Sequence, residues 1–231
     1  MKCKLGDTDV QIIDGDRGKN YPNEFTNNGY CLFLSAKNVT STGFLFDEKQ
    51  FITKERDELL RKGKLMRNDV VLTTRGTVGN VALYDDSILF SHIRINSGMV
   101  ILRSNPQSIH PIYLYYVMKS EIVQRQIIQM QTGSAQPQFP ISHMVNLEIP
   151  MLPLSEQFII VAVLSCLDNK IANNKKINHH LAPTMSDTDS SPDIRRGKRV
   201  LRRVARQFDS CSNNSCFSKI GLQNSSKNVS V

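Results

Sequence analysis

At 231 residues, with 40% hydrophobic and 22% charged side chains, the chain has the composition of a globular protein with room for one substantial core and an appendage. No apolar run approaches the ~18–20 residues that span a bilayer, and the opening MKCKLGDTDVQIIDGD meets acidic residues too early for a secretory signal, so a cytoplasmic protein is expected. The five cysteines (Cys3, Cys31, Cys166, Cys211, Cys216) are odd in number and scattered, which argues against a disulfide framework and for reduced thiols. The net charge of +8 is unevenly placed: from residue 183 onward nine Lys and Arg face four Asp, whereas the preceding residues hold 20 basic and 17 acidic side chains. Charge alone therefore does not establish a nucleic-acid partner.

The first 105 residues read as short strands separated by turns. VQII (10–13) closes at DGDRGK, and CLFLSAKNV (31–39) closes at TSTG. KERDELLRKGK (54–64) is rich in helix formers and predicts a helix ended by Gly63. DVVLTTRG (69–76), TVGNVALYDD (77–86) and INSGMVILRS (95–104) follow as strands, rich in Val, Ile, Leu and Thr and punctuated by Gly and Asn. From Pro111 the period becomes helical, and a single helix is predicted through to Gly133. A passage with four prolines between Pro137 and Pro153 follows, and VNLEIP (145–150) within it fits a short strand.

Leu-Ser-Glu-Gln then opens a second helix, with Ser155 as N-cap or Pro153 and Leu154 leading in, and Glu156 and Gln157 in the first turn. At heptad spacing Ile160, Leu164, Leu167 and Ile171 form an apolar seam, continued by Asn174, Asn178 and Leu181. Periodicity alone fits two arrangements equally, a pairing helix and an amphipathic helix packed on its own domain. After Leu181 the character breaks into a Ser/Asp run, the Arg-rich block IRRGKRVLRRVAR and a Ser/Asn end, read as a disordered tail. The expected fold class is α+β: a globular domain of short strands with a few helices over 1–153, a long helix over 154–181 and the basic tail over 182–231.

No catalytic constellation is apparent. Gly76 and Gly79 in RGTVGN lack the Lys-Ser/Thr of a phosphate-binding loop, and His92, His110, His143, His179 and His180 have no partner at a metal-ligand spacing. Cys211 and Cys216 have no second ligand pair. Two segments have the character of binding loops. LTTRGTVGNVALYD sets Thr73, Thr74, Arg75 and Thr77 around two glycines, a composition suited to phosphate contact and, through arginine, to guanine; a hairpin braced by threonines is the plainer account. QTGSAQPQFP (131–140) offers Ser134, Gln136 and Gln138 to a groove, glutamine being suited to adenine; a proline-fixed connector is the plainer account there.

In order and spacing these segments resemble the specificity subunits of type I restriction–modification systems. KLGD (4–7) is similar to the family's opening, KLMRNDVVLTTRGTVGNVALYD (64–85) to its strand-and-turn segment, and HPIYLYYVMKSEIVQRQI (110–127) to its helix. Most specific is GSAQPQFPISHMVNLEIPMLPLSEQFIIVAVLSCLDNKIANNKKIN (133–178), which resembles the family's domain end and the long helix that follows it. The resemblance covers residues 1–182.

The resemblance implies a non-catalytic subunit that binds double-stranded DNA in a sequence-specific way and directs adenine methylation and restriction by partners. Those partners are methyltransferase subunits and a restriction/translocase subunit, and S-adenosylmethionine, ATP and Mg are expected on them, with no cofactor on this chain. DNA contact is expected from Thr73, Thr74, Arg75, Thr77, Ser134 and Gln136, with Lys19, Lys37 and Arg94 as phosphate contacts because they flank strand ends. Partner docking, or pairing of two copies, is expected along Ile160, Leu164, Leu167 and Ile171. The sequence departs from the family's pattern at Leu181–Ala182, where a frameshift or truncation would leave the helix short; a remnant that folds but assembles poorly is the alternative, and a stand-alone DNA-cleaving enzyme a more remote one.

Overall fold

The structure is a computed structural model, and it describes residues 2–133 and 135–181. The disordered-tail reading of 182–231 lies outside these residues. The chain divides into two units between Asn173 and Asn174, inside the long helix.

The first unit is built on a four-stranded antiparallel sheet in the order β2 (Gln11–Asp14), β10 (Met99–Arg103), β7 (Val70–Thr73), β8 (Val81–Leu83). Its central strands are apolar on both faces. Val70, Leu72, Val81, Val100 and Leu102 face one core, whereas Val71, Ala82, Met99 and Ile101 face another. The two-residue alternation of the strand distributes these runs between two layers. Antiparallel sheets often leave one face to water; here the helices α2 (Pro111–Lys119), α3 (Glu121–Gln129) and α5 (Leu154–Leu181) cover one face, through Tyr113, Leu114, Val117, Val123, Ile127 and Val161.

The other face meets a three-stranded sheet, β6 (Phe51–Ile52), β3 (Cys31–Phe33), β9 (Ile93–Arg94), in which β3 and β9 run parallel. A small hairpin, β4 (Val39–Thr40) with β5 (Gly43–Phe44), and the pair β1 (Lys2–Lys4) with β11 (Glu148–Pro150) complete the sheets. The β1–β11 pairing joins the chain's first residues to the segment just before α5.

Several expected elements are subdivided. The run 31–39 is broken by a 3-10 turn at Ala36–Asn38, where Ser35 and Asn38 form a capping box. The helix predicted over 54–64 is α1 (Lys54–Leu59), capped by the Thr53 side chain, and its chain has already turned extended at Leu60. Gly63 has φ +81° but lies beyond the helix end, close against Gly15 and Ile95. The helix predicted from Pro111 to Gly133 is two helices, because Ser120 takes an extended ψ of 146° and starts α3 anew. A short helix, α4 (Ile141–Met144), occupies part of the proline-rich passage.

Candidate nucleic-acid interface

The turn from β7 to β8 is closed by its own threonine. The Thr73 hydroxyl donates to the Thr77 carbonyl and accepts from Asn80 N–H at 3.0 Å, while Thr73 N–H donates to the Asn80 carbonyl at 3.0 Å. Gly79, at φ +95°, passes so close to Gln124 that an added Cβ would stand 2.8 Å from its amide oxygen, and the Gln124 amide donates to the Gly79 carbonyl at 2.9 Å. The turn is thus anchored to α3. Thr73 and Thr74 are buried by this arrangement; Arg75, Gly76 and Thr77 remain exposed.

Two further loops are bonded to that turn. Thr74 and Arg75 N–H groups both donate to the Gly98 carbonyl, at 2.8 and 3.2 Å. Phe139 N–H donates to the Thr74 carbonyl at 2.9 Å, and Arg75 and Gln138 form an antiparallel bridge. Gln138 in turn exchanges two backbone bonds with Thr132, at 2.8 and 2.9 Å, which closes the 132–138 loop over Gly133. Buried Phe139 holds the base of this loop, and Ala135, Gln136 and Pro137 are exposed at its tip. The two segments singled out in the sequence, 46 residues or more apart by number, therefore form one ledge.

Arg17 joins the ledge from a third direction. Its guanidinium donates to the Ser97 carbonyl at 3.4 Å and pairs with Asp14 at 3.0 Å. The base of its loop is fixed by Asp16, which accepts from Arg17 and Arg61 N–H groups at 2.8 and 2.5 Å. Burial pushes the Asp16 carboxyl up, but these backbone hydrogen bonds outweigh it and leave it below the usual value. On the far side of the turn, Gly76 faces Ala36, whose neighbour Lys37 is exposed and pairs with Glu48 at 2.8 Å. Among the described residues no ion pair engages Arg75. Arg17 was not anticipated from sequence; its only local signal is the turn composition DGDRG.

The expected site residues divide accordingly. Arg75, Thr77, Gln136 and Lys37 are exposed on or beside the ledge, and Lys19 is exposed on the loop that carries Arg17. Thr73 and Thr74 shape the turn from beneath instead of facing solvent. Ser134 lies outside the described residues. Arg94 is a correction: it is 5% exposed, and its guanidinium bonds Asp57 and the carbonyls of Asp57, Leu60 and Lys62 at 2.7–2.9 Å. A guanidinium engaged in this way is a structural tie between β9 and α1, with no face left for a phosphate.

The expected helical seam is also reassigned in part. Ile160 and Leu164 are half-buried on the side of α5 that packs on the domain through Val161 and Gln157. Leu167 and Ile171 are exposed, and they continue a stripe begun by Ile159 and Val163, all four 49–65% exposed. This i, i+4 row keeps Leu167 and Ile171 of the expected seam and takes Ile159 and Val163 in place of Ile160 and Leu164. Gln157 is wholly buried: its amide accepts from His110 N–H at 2.8 Å and donates to the Ser108 and Leu152 carbonyls at 3.1 and 2.8 Å. It ties the first turn of α5 to the start of α2.

A family model described as "Type I restriction modification DNA specificity domain" matches residues 8–182. Among curated proteins, the chain is 30% identical over 149 residues to a Methanocaldococcus jannaschii protein named as a type I restriction enzyme MjaX specificity subunit, covering 62% of this chain and 33% of that one. It is 24% identical over 142 residues to the type I restriction enzyme EcoBI specificity subunit of Escherichia coli, covering 60% of this chain and 29% of that one. The chain thus spans about a third of the length of these relatives. Among solved structures, the S subunit of a type I restriction–modification system from M. genitalium matches with a TM-score of 0.55 at 19% identity, over 78% of this chain and 43% of the other. The HsdS subunit from Thermoanaerobacter tengcongensis matches with a TM-score of 0.53 at 20% identity, over 77% and 39%. At these identities the structural likeness concerns the fold.

Proposed function

We propose, from the premise that this chain belongs to the type I restriction modification DNA specificity family, that its globular domain reads double-stranded DNA through the ledge formed by Arg75, Thr77, Gln136 and Arg17. The observation that supports this reading most is the joining of Arg75 to Gln138 by backbone pairing. That contact sets a guanidinium, suited to the acceptor pair of guanine, beside glutamines suited to adenine. Arg17, paired with half-buried Asp14, and Lys37, paired with exposed Glu48, serve as phosphate contacts that position the duplex.

In this reading the chain is a non-catalytic recognition subunit acting in the cytoplasm of a prokaryote. Methyltransferase partners hold S-adenosylmethionine and methylate adenine, and a translocating restriction partner holds ATP and Mg. The exposed stripe Ile159, Val163, Leu167, Ile171 supplies the surface for those partners or for a second copy of the chain. Two copies paired by a two-fold axis would read two identical half-sites.

The test is fluorescence anisotropy of the chain, with its methyltransferase partner, on duplexes carrying randomised sites. Selective binding of one sequence with a Kd below 1 µM is expected, on the order of specific protein–DNA affinities. Affinity should fall steeply with salt, as log K does against log salt when phosphates are neutralised. Equal affinity for all duplexes would overturn the reading.

A further inference from the structure

The loop that carries Arg17 is clamped from its other side by the segment that follows α1. Buried Asp16 accepts the Arg17 N–H on its own loop and the Arg61 N–H across it, at 2.8 and 2.5 Å. The Asn20 amide donates to the Leu59 carbonyl at 3.4 Å. Gly15 is wedged between two backbones. A Cβ on Gly63 would stand 3.3 Å from the Gly15 Cα, and a Cβ on Gly15 would stand 2.2 Å from the Asn96 carbonyl oxygen. From the domain side, the buried Arg94 guanidinium donates to the Leu60 and Lys62 carbonyls at 2.9 and 2.7 Å. The 59–63 backbone is thereby fixed to the 14–20 loop. That loop is fixed to Ser97 by Arg17, and the neighbouring Gly98 carbonyl accepts from Arg75.

The backbone of this segment is engaged inward, and its charged side chains are not. Arg61 and Lys62 are exposed, as are Arg17 and Lys19 on the loop they clamp. Among the described residues no ion pair engages Lys19, Arg61 or Lys62. The nearby carboxylates are already occupied, Asp14 by Arg17 and the Gly15 N–H, and Asp16 by backbone N–H groups. Burial raises the Asp16 carboxyl; the N–H groups of Arg61, Arg17 and Lys62 and then the charge of Arg61 act against it. The Arg61 guanidinium therefore lies within electrostatic reach of the 14–17 turn that Arg17 also occupies. Cations gathered on two locked loops repel one another, and a polyanion laid across them relieves that repulsion.

We propose that Arg61 and Lys62, together with Lys19, hold phosphates of the DNA duplex that flank the bases met by the ledge. The inference rests on the DNA reading above and gives it a direction: the duplex leaves the ledge over the 14–20 and 59–63 loops. Lys37 lies across the Gly76 turn from these loops, so the duplex is held on both sides of Arg75. Phosphate is the fitting group because the cations come without the amides that read base edges, and phosphate contacts fix register without reading sequence. A duplex offers one negative charge per about 1.7 Å of its axis, enough to meet each cation. An acidic protein segment is the competing occupant. The unbroken chain of contacts from Arg61 through Asp16, Arg17 and Ser97 to the ledge favours DNA.

The test uses the double variant Arg61→Ala with Lys62→Ala, which keeps the backbone N–H groups that Asp16 accepts. Its unfolding midpoint is expected to match that of the unaltered chain. Both are bound, with the methyltransferase partner, to duplexes carrying the selected site with full flanks or with either flank cut back to the site's edge. On full flanks the variant's slope of log K against log salt should be smaller by about 2, at about 0.9 for each phosphate contact. Its preference for the site over a scrambled duplex should be unchanged. Cutting back one flank should abolish the difference between variant and unaltered chain, and cutting back the other should preserve it. An unchanged slope, an altered site preference, or a difference that survives removal of either flank would overturn the proposal. So would weaker assembly with the methyltransferase in ultracentrifugation at an unchanged slope, which assigns these cations to an acidic protein face. Should the double variant unfold early, Arg61→Gln and Lys62→Gln tested singly decide, each with a slope smaller by about 1. An unaltered chain without site preference is a failure of the DNA reading and takes the proposal with it. An unaltered chain that selects its site, beside a variant with the full slope, is a failure of the flank contact alone.

Discussion

Arg75 and Arg94 illustrate how one residue type serves opposite ends in this chain. Arg94 is buried with Asp57, which also accepts from Lys64 at 2.5 Å. Burial pushes the Asp57 carboxyl up, but the hydrogen bonds and charges of Lys64 and Arg94 outweigh it and hold it below 3.8. An acid depressed in the fold stabilises it above its unfolded-state value, so this contribution is complete at neutral pH and is lost as pH falls through the region below 3.8. Asp57→Asn is expected to lower stability at pH 7 by about 3–5 kcal/mol, since it leaves the buried guanidinium unpaired. The variant's denaturant midpoint should also lose part of its dependence on pH below about 4, the carboxylate range. Arg75→Ala, by contrast, is expected to leave the melting temperature unchanged and to weaken specific DNA binding by about 1–3 kcal/mol, with relaxed preference at one base position. The exposed place of Arg75 on a turn was legible because glycines and hydroxyls surround it in the sequence. The fate of Arg94 was not, because its partner lies 37 residues upstream and nothing local marks the pair.

Elements were legible where their own period or punctuation decides them, and less so where a tertiary contact intervenes. The apolar runs at 69–76, 77–86 and 95–104 each contain a strand, since Val, Ile and Leu at period two need a buried sheet. The break at Ser120 was hidden, because its neighbours on both sides keep the helical stripe while Gln124 bonds Met118 and Gly79 across the corner. In α5 the apolar spacing identified the helix but not its orientation. The deciding residue is Gln157, a polar side chain whose three bonds turn that face inward and leave Ile159, Val163, Leu167 and Ile171 outward. Gln157→Leu is expected to cost about 1–3 kcal/mol, measured by urea unfolding, because the His110 N–H and two carbonyls lose their partner. Leu167→Asp should abolish assembly with the partner, or self-association, in analytical ultracentrifugation while leaving unfolding unaltered, its side chain being half exposed. Ile160→Asp, on the packed side, should destabilise the domain itself.

For the molecule as a whole, the ledge is a property of three loops that meet, and its composition could be read only in pieces. The turn at 73–80 and the loop at 132–138 each had a plainer account as a braced hairpin and a connector, and both accounts hold for parts of them: Thr73 does brace, and Phe139 does anchor. Their joining at Arg75 and Gln138, with Arg17 attached through Ser97, makes a surface of guanidinium and amide groups that neither segment specifies alone. The most direct measurement of the central claim is a map of methylated adenines in DNA treated with the cognate methyltransferase subunit, with and without this chain. Methylation at one defined sequence only when the chain is present, and lost or broadened with Arg75→Ala, is the expected result. Methylation that is absent, or that falls on the same adenines without the chain, would contradict the claim that this chain chooses the site.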